Sequence, residues 1–362
     1  MNIHLIRTLY PHWGAHTGFN SFRKHIDSEQ YQIQEYLTPD GDGDFFIRNR
    51  AAREMLRPWV QRNKMPFYKL ADLTAEMRAL QQCWAGNVDI VHYLDGEHSA
   101  QYLPLLFRRD KKSRPKIVAN FHQPAALLPS LVDQRVISKL DAVVLISPAQ
   151  VAFFEPLLSP EKITVALSGI ETDYFKPSNK PKSASPFKCI TVGHWLRDFE
   201  TVRQVARQVE SCREIEFHVI VSGRSGPQQT GLENNPNIIL QREHIDDNAL
   251  LKCYQAADLL FLPLTDATAN NALLEAMACG LPILATHLPS IQTYAPEQDA
   301  ILIQGNDPER FAEAILYLTQ QPEMRSRMGQ ASRARAEELN WRNIAPLYQS
   351  VYAKLANAKG TS

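Results

Sequence analysis

The segment Asn270-Asn271-Ala272-Leu273-Leu274-Glu275-Ala276-Met277-Ala278-Cys279-Gly280-Leu281-Pro282 holds the residue types from which a polar-ligand site is built. Thr268, Asn270 and Asn271 stand in a polar loop ahead of an apolar helical pattern. Unpaired amides and the helix dipole favour an anion at such a start. Glu275 follows about one and a half turns further on, an acceptor-only carboxylate suited to hydroxyl groups. Gly280-Leu281-Pro282 closes the helix. Apolar runs at Asp258–Leu262 and Ile283–Thr286 flank it as strands. Amides for phosphate and a carboxylate for a vicinal diol describe a pocket for a nucleotide sugar.

Other loops carry weaker signals. Gly14 and Gly18, in Tyr10-Pro-His12-Trp-Gly14-Ala-His16-Thr17-Gly18, stand between a strand and a predicted helix and allow close approach of backbone to a ligand. They equally fit a turn that needs positive φ, and their spacing is not the dinucleotide fingerprint. His122, just past the strand Lys116–Phe121, suits either a substrate hydroxyl or a backbone carbonyl, and histidine titrates near neutrality. Asp95-Gly-Glu97-His98 holds the same place one strand earlier. In Val192-Gly193-His194-Trp195-Leu196-Arg197-Asp198, the Arg197 guanidinium suits a diphosphate, or a surface pair with Asp198 or Glu200. Ser222-Gly223-Arg224-Ser225-Gly226 and Arg242-Glu243-His244 close later strands and suit a base pocket built mostly from backbone.

Positioning these loops requires a scaffold of alternating strands and helices. Short β-branched runs recur at Asn2–Leu9, Tyr31–Tyr36, Asp89–Tyr93, Lys116–Phe121, Ala142–Ile146 and Ile163–Ala166. After a Pro/Ser/Lys-rich stretch from Lys176 to Pro186, which reads as a linker, they resume at Lys188–Val192, Glu216–Val221, Ile238–Gln241, Asp258–Leu262, Ile283–Thr286 and Ala300–Ile303. Interleaved helical patterns make this α/β, with parallel sheets wound by crossover helices. The expected architecture is two doubly wound, Rossmann-like domains facing a cleft, residues 1–170 and 171–340. A last helix opens at Asn340-Trp341 and fills residues 341–362. Ligands of such sheets sit beyond the carboxyl ends of the strands.

Bulk composition narrows the class. The 362 residues are 44% hydrophobic and 22% charged, as in soluble globular proteins. Thirty-nine basic and thirty-nine acidic residues give zero formal charge, so nucleic acid is not the expected partner. Cys83, Cys189, Cys212, Cys253 and Cys279 are odd in number and scattered, which argues against disulfides or a zinc site and for a reducing, cytoplasmic setting. Two segments are locally basic: Arg48, Arg50, Arg53, Arg57, Arg62, Lys64 and Lys69, interleaved with Met55, Leu56, Trp59 and Phe67; and Arg108, Arg109, Lys111, Lys112, Arg114 and Lys116. Each fits a solvated face, or peripheral contact with an anionic bilayer on the inner face of the membrane, at roughly 1 kcal/mol per basic residue.

With these features in place, the chain resembles the family-4 glycosyltransferases of the two-domain B-type fold. The resemblance is spread over most of the chain: the strand-plus-glycine start, DIVHYLD at Asp89–Asp95, VANFHQP at Val118–Pro124, LDAVVLIS at Leu140–Ser147, SGIETDYFKP at Ser168–Pro177, NNALLEAMACGLPILAT at Asn270–Thr286, and the tail Arg325–Trp341. It implies a first domain on the acceptor side, a second that binds the donor, and a closing helix that crosses back to the first domain. It implies transfer of a glycosyl group from a UDP-, GDP- or ADP-sugar to a glycan, lipid-linked or small-molecule acceptor, with retention at the anomeric carbon. No cofactor beyond the nucleotide-sugar co-substrate and no metal are implied.

By the same resemblance Glu275 holds the ribose, Arg197 the diphosphate, and His122 sits at the reaction centre. Gly14, Gly18, Gly193, Arg224, Asp266, Thr268, Asn270 and Asn271 complete the donor site. Two positions depart from the family pattern. Ala267 stands where a Glu usually contacts the donor sugar, leaving Asp266 or Asn270 to substitute. Phe199 and Glu200 stand near the place of a usual Lys. These departures keep open a non-catalytic nucleotide-binding module or partner subunit; a nucleotide-sugar epimerase is a further alternative.

Overall fold

Each apolar run forms a strand in the computed structural model, which describes the chain apart from residues 12, 41–46, 48, 62–64, 108–113, 180–184, 213, 222–228, 230 and 361–362. The strands are β1 (Asn2–Leu9), β2 (Gln32–Pro39), β3 (Ile90–Tyr93), β4 (Lys116–Phe121), β5 (Ala142–Leu145) and β6 (Ile163–Val165), then β7 (Phe187–Val192), β8 (Ile215–Ile220), β9 (Ile238–Gln241), β10 (Leu259–Leu262), β11 (Ile283–Thr286) and β12 (Ile301–Ile303). They build two six-stranded sheets in the orders β2-β1-β3-β4-β5-β6 and β12-β11-β10-β7-β8-β9. Pairing is parallel in both. Central strands such as β3, β5, β10 and β11 are buried at every residue, as expected when helices cover both faces.

The chain divides into two compact units, Met1–Trp13 with Phe22–Ser168 and Ile344–Ser362, and Gly14–Ser21 with Gly169–Asn343. Gly14–Ser21 follows β1 in sequence yet clusters with the second unit. It does so because Thr17 bonds Glu275, the His16 amide bonds Asp247, and Trp341 Nε1 donates to the Gly18 carbonyl. The expected helix after Gly18 is two short 3-10 turns, Gly18–Asn20 and Phe22–His25. Asn20 and Ser21 bond back to the carbonyls of Gly14 and Ala15, a local closure that competes with a helical ladder.

In the first unit the strand order reverses between β1 and β3; in the second it reverses between β7 and β10. The loops leaving these strands are therefore the ones a doubly wound sheet offers to a ligand. The closing helix, Trp341–Gly360, contributes its residues from Ile344 onward to the first unit. There Tyr348 accepts from Asn120 Nδ2 at 2.9 Å, and Tyr352 lies 2.6 Å from His92 Nδ1.

Of the basic segments, Arg48, Arg62, Lys64, Arg108, Arg109, Lys111 and Lys112 lie outside the described residues. Arg114 is no surface cation: it is buried and grips Asp141 through both terminal nitrogens at 2.7 Å. The helix Arg50–Gln61 does expose Met55 (77%) and Trp59 (50%) among its arginines.

Glu76 organises the first unit beneath its ligand-facing loops. Fully enclosed on the helix Leu70–Trp84, it accepts the hydroxyls of Tyr68 and Tyr93 and the amides of Gln101, Tyr102 and Leu103. Glu76→Ala strands these donors in a dry interior, and is expected to lower unfolding free energy by about 3 kcal/mol or more in urea titrations; a loss under about 1 kcal/mol would contradict this role.

Candidate functional site

The site assembles at the β7/β10 switch point of the second unit. Gly193 leaves β7 at φ +88° and Leu196 adopts φ +57°, the second a conformation costly for a side-chain-bearing residue. The two loops are stitched together: Arg197 bridges Leu264, the Asp198 amide donates to Pro263 O, and the Thr265 amide to Leu196 O. Asn306 fastens them from below, donating to Asp198 Oδ2 at 2.9 Å and Leu264 O at 2.8 Å while accepting from Thr286.

Arg197 is thereby turned inward, and the surface pair with Asp198 or Glu200 does not form. Asp198 caps its helix by accepting from Thr201, and Glu200 pairs with Arg203. The guanidinium is 8% exposed and donates to Val192 O, Trp195 O and Asn270 Oδ1 at 2.9, 2.9 and 3.2 Å. Three of the five donors an arginine carries are so used. Burial lowers its pKa to about 10, so it remains a cation at neutrality.

The helix Asn271–Ala278 starts where the sequence places it, and it is capped from within. Asn270 Oδ1 accepts the Leu273 amide at 3.2 Å as well as the Arg197 guanidinium. Thr268 lies beside this start, 3% exposed, with its hydroxyl unpartnered among the described residues; a buried hydroxyl in that state is costly unless a ligand meets it. Asp266 folds onto the Ala267 amide at 2.7 Å. Ala267 is buried, its carbonyl taken by Ser290. At the far end Gly280, φ +71°, carries the chain into β11, with the Leu281 amide on Ala276 O.

Glu275 is the most constrained group of the site. It is 2% exposed; Oε1 accepts the Thr17 hydroxyl at 2.9 Å and Oε2 the Tyr254 hydroxyl at 2.8 Å. Burial raises its pKa to about 7, opposed by both hydrogen bonds and by Arg197, and reinforced by Asp247. Gly14 leaves room for the Asp247 carboxylate, since a Cβ there would fall 1.3 Å from Asp247 Oδ1 and force that side chain to shift. The His16 ring stacks on Tyr174 at 3.7 Å between centroids. A cavity of about 370 Å³ opens beside them, lined by Gly14, His16, Tyr174, His244 and Asp246. His244 thus lines a cavity, whereas Arg242 turns to Glu233. Arg224 lies outside the described residues.

His122 belongs to the first unit, in a cluster beyond β1, β3 and β4. Its Nε2 donates to the Leu94 carbonyl, with Asp95 Oδ1 at 3.9 Å, and its amide donates to Glu97 Oε1 at 2.8 Å. The backbone-carbonyl alternative is therefore the one realised, which puts the ring proton on Nε2 in the neutral form. Asp95 also accepts the Thr8 amide and the Tyr10 hydroxyl. Burial lifts Glu97 to about 7 and drops His98 to about 3. Sequence reasoning missed Thr17 and Tyr254: one hides in a turn and the other in a helix 21 residues before Glu275, with no periodic signal to connect them.

Residues 187–321 match the model of the family described as glycosyl transferases group 1. A D-inositol 3-phosphate glycosyltransferase of Corynebacterium urealyticum is 23% identical over 253 residues, covering 62% of this chain and 59% of the relative's length. Sucrose-phosphate synthase from Thermosynechococcus elongatus superposes with a TM-score of 0.72 at 17% identity, over 99% of both chains. The catalytic domain of starch synthase IV from Arabidopsis thaliana, bound to ADP and acarbose, superposes at 0.70 with 14% identity, over 98% of this chain and 99% of that one. The fold is that of the B-type glycosyltransferases.

The elevated Glu275 pKa has a consequence for stability. A carboxyl whose pKa is higher folded than unfolded costs nothing below its unfolded value, destabilises progressively as pH rises from that value to the folded one, and adds no further loss above it. Glu275→Gln is therefore expected to gain about 2 kcal/mol over wild type near pH 8, with the gain closing as pH falls from about 7 to 5. Urea unfolding at both pH values reads this; a gain independent of pH would refute it.

Proposed function

We propose that this chain, whose residues 187–321 match the model of the glycosyl transferases group 1 family, transfers a sugar from a nucleotide-sugar donor to a hydroxylated acceptor with retention at the anomeric carbon. The observation that carries the reading is the Arg197 guanidinium on Asn270 at the start of a helix that also holds the buried Glu275, on the switch point of a doubly wound sheet. The starch synthase bound to ADP and acarbose supports a nucleotide diphosphate as the shared element.

Arg197 brings a buried cation and the helix start brings amides, so charge developing on a leaving diphosphate meets groups that are already oriented. Glu275 supplies the acceptor for the ribose diol, and the unpartnered Thr268 hydroxyl supplies a donor or acceptor to phosphate or sugar. The reading assigns no role to a metal. To His122, its ring held by the Leu94 carbonyl and its amide by Glu97, we assign the reaction-centre role that the family resemblance implies. The acceptor is a glycan, lipid-linked or small-molecule alcohol.

A non-catalytic nucleotide-binding module is the second reading, favoured by one observation: Ala267 is buried and its carbonyl is bonded to Ser290, so no carboxylate reaches the donor sugar from that position.

Calorimetry with UDP, GDP and ADP tests the donor site. One of them is expected to bind, with Arg197→Ala weakening it by about a hundredfold and Glu275→Ala by about tenfold. Silence from all three removes the proposal. His122→Ala is expected to leave that affinity within about threefold while lowering sugar transfer at least about tenfold. Tight nucleotide binding with neither transfer nor slow donor hydrolysis transfers support to the second reading, and conversion of the donor to an epimeric sugar with no acceptor present would indicate epimerisation.

The exposed Met55 and Trp59 among Arg50, Arg53 and Arg57 support peripheral contact with anionic membrane. Anionic liposomes are expected to retain the protein at low salt and release it at about 0.5 M salt; equal sedimentation with neutral vesicles would dismiss the contact.

A further inference from the structure

Glu275 presents an asymmetry that its family role does not require. Its two oxygens have different kinds of partner. Oε2 meets the hydroxyl of Tyr254, a fully buried residue on the helix Asp247–Ala256 whose ring packs edge-on against Phe175. A tyrosine in that setting has no room to swing away. Oε1 meets the hydroxyl of Thr17, which sits in the turn between Gly14 and Gly18. That turn is attached to the body of the unit by the His16 amide on Asp247 Oδ2 at 3.2 Å, by the Gly18 carbonyl on Trp341 Nε1 at 3.2 Å, and by ring contacts of His16 with Tyr174 and of Phe19 with Trp341. An aliphatic hydroxyl donating to a carboxylate oxygen at 2.9 Å is the interaction a ribose hydroxyl makes.

We propose that Tyr254 is a positioning residue that fixes the Glu275 carboxylate through Oε2, leaving Oε1 as the oxygen a nucleotide ribose takes over from the Thr17 hydroxyl. The inference rests on the donor-site reading and deepens it. A carboxylate in a dry site rotates unless something holds it, and Tyr254 holds it without using the ligand-facing oxygen. Thr17 satisfies that oxygen when no ligand is present, which avoids an unpaired buried acceptor.

The groups facing Glu275 are Tyr254 and Asp247 from one helix, Thr17 from the turn and Arg197 from the β7 loop, with Cys279 beside Tyr254. Of these, Tyr254 and Thr17 favour the ionised form by hydrogen bonding, and Arg197 by charge, whereas Asp247 disfavours it. Ligand hydroxyls prefer the ionised carboxylate. Nucleotide affinity is therefore expected to be level above about pH 8 and to fall by up to about tenfold per pH unit below about 7.

The test is the affinity of UDP, GDP and ADP, measured by calorimetry from about pH 5.5 to 9 on the whole chain. Wild type, Glu275→Gln, Tyr254→Phe and Thr17→Val are compared. Glu275→Gln is expected to flatten the acid limb. Tyr254→Phe removes one hydroxyl without changing the packing; it is expected to weaken binding at least about fivefold near pH 8 and to shift the midpoint upward by about half a pH unit or more. Thr17→Val is expected to strengthen binding by about threefold, because the ligand no longer displaces a hydroxyl. An unmoved midpoint in Tyr254→Phe, with Glu275→Gln flat, overturns the positioning role and leaves the donor site standing. Weaker binding in Thr17→Val overturns the exchange at Oε1. A wild-type pH profile in Glu275→Gln overturns the donor-site reading itself.

Discussion

One buried carboxylate sets the terms for the rest of the second unit. Glu275 sits inside a helix whose other side chains are almost all apolar and enclosed, where an ionised group has no water to solvate it. Three neighbours answer that problem, two hydroxyls that donate to it and the Arg197 cation close by, while Asp247 opposes them. A structure built only for stability would put a leucine or alanine at this position. The carboxyl group kept there is the feature on which the proposed donor site rests.

The surrounding geometry follows from keeping that charge and the Arg197 cation in register. Arg197 reaches Asn270 because the β7 loop turns through two left-handed residues, Gly193 and Leu196. A Cβ at Gly193 would lie 3.0 Å from the guanidinium, so only glycine lets the loop wrap this closely. Asn306, also left-handed, then ties the loops leaving β7 and β10 to the end of β11. Strain is concentrated in a few residues around the site, while the strands beneath remain regular.

The first unit answers the same electrostatic problem with a different chemistry. Asp95, Glu97, His98 and His122 crowd beyond the ends of β1, β3 and β4, and their burial is offset mostly by backbone amides and carbonyls. Among the described residues Glu97 Oε2 and His98 Nδ1 have no hydrogen-bond partner, and burial shifts both pKa values so as to favour the neutral forms.

The twelve strands, their parallel winding and the helix Asn271–Ala278 with its Asn270 cap were legible in the sequence. β-branched runs, apolar periodicity and a Gly-Leu-Pro stop act locally, so the linear order of residues contains them. Glu275, Arg197 and His122 were legible as candidates by their loops and types. Their partners were not. Thr17 lies 258 residues from Glu275, and Asn270 lies 73 from Arg197; pairings at such separations depend on which loops a sheet's strand order brings side by side. The same holds for Gly14–Ser21, whose place in the second unit comes from Asp247, Glu275 and Trp341, and for Arg114, which composition assigns to a basic surface and Asp141 draws into the interior. Local propensity writes the elements; burial and hydrogen-bond satisfaction, which are properties of the assembled sheet, decide which polar atoms remain for a ligand.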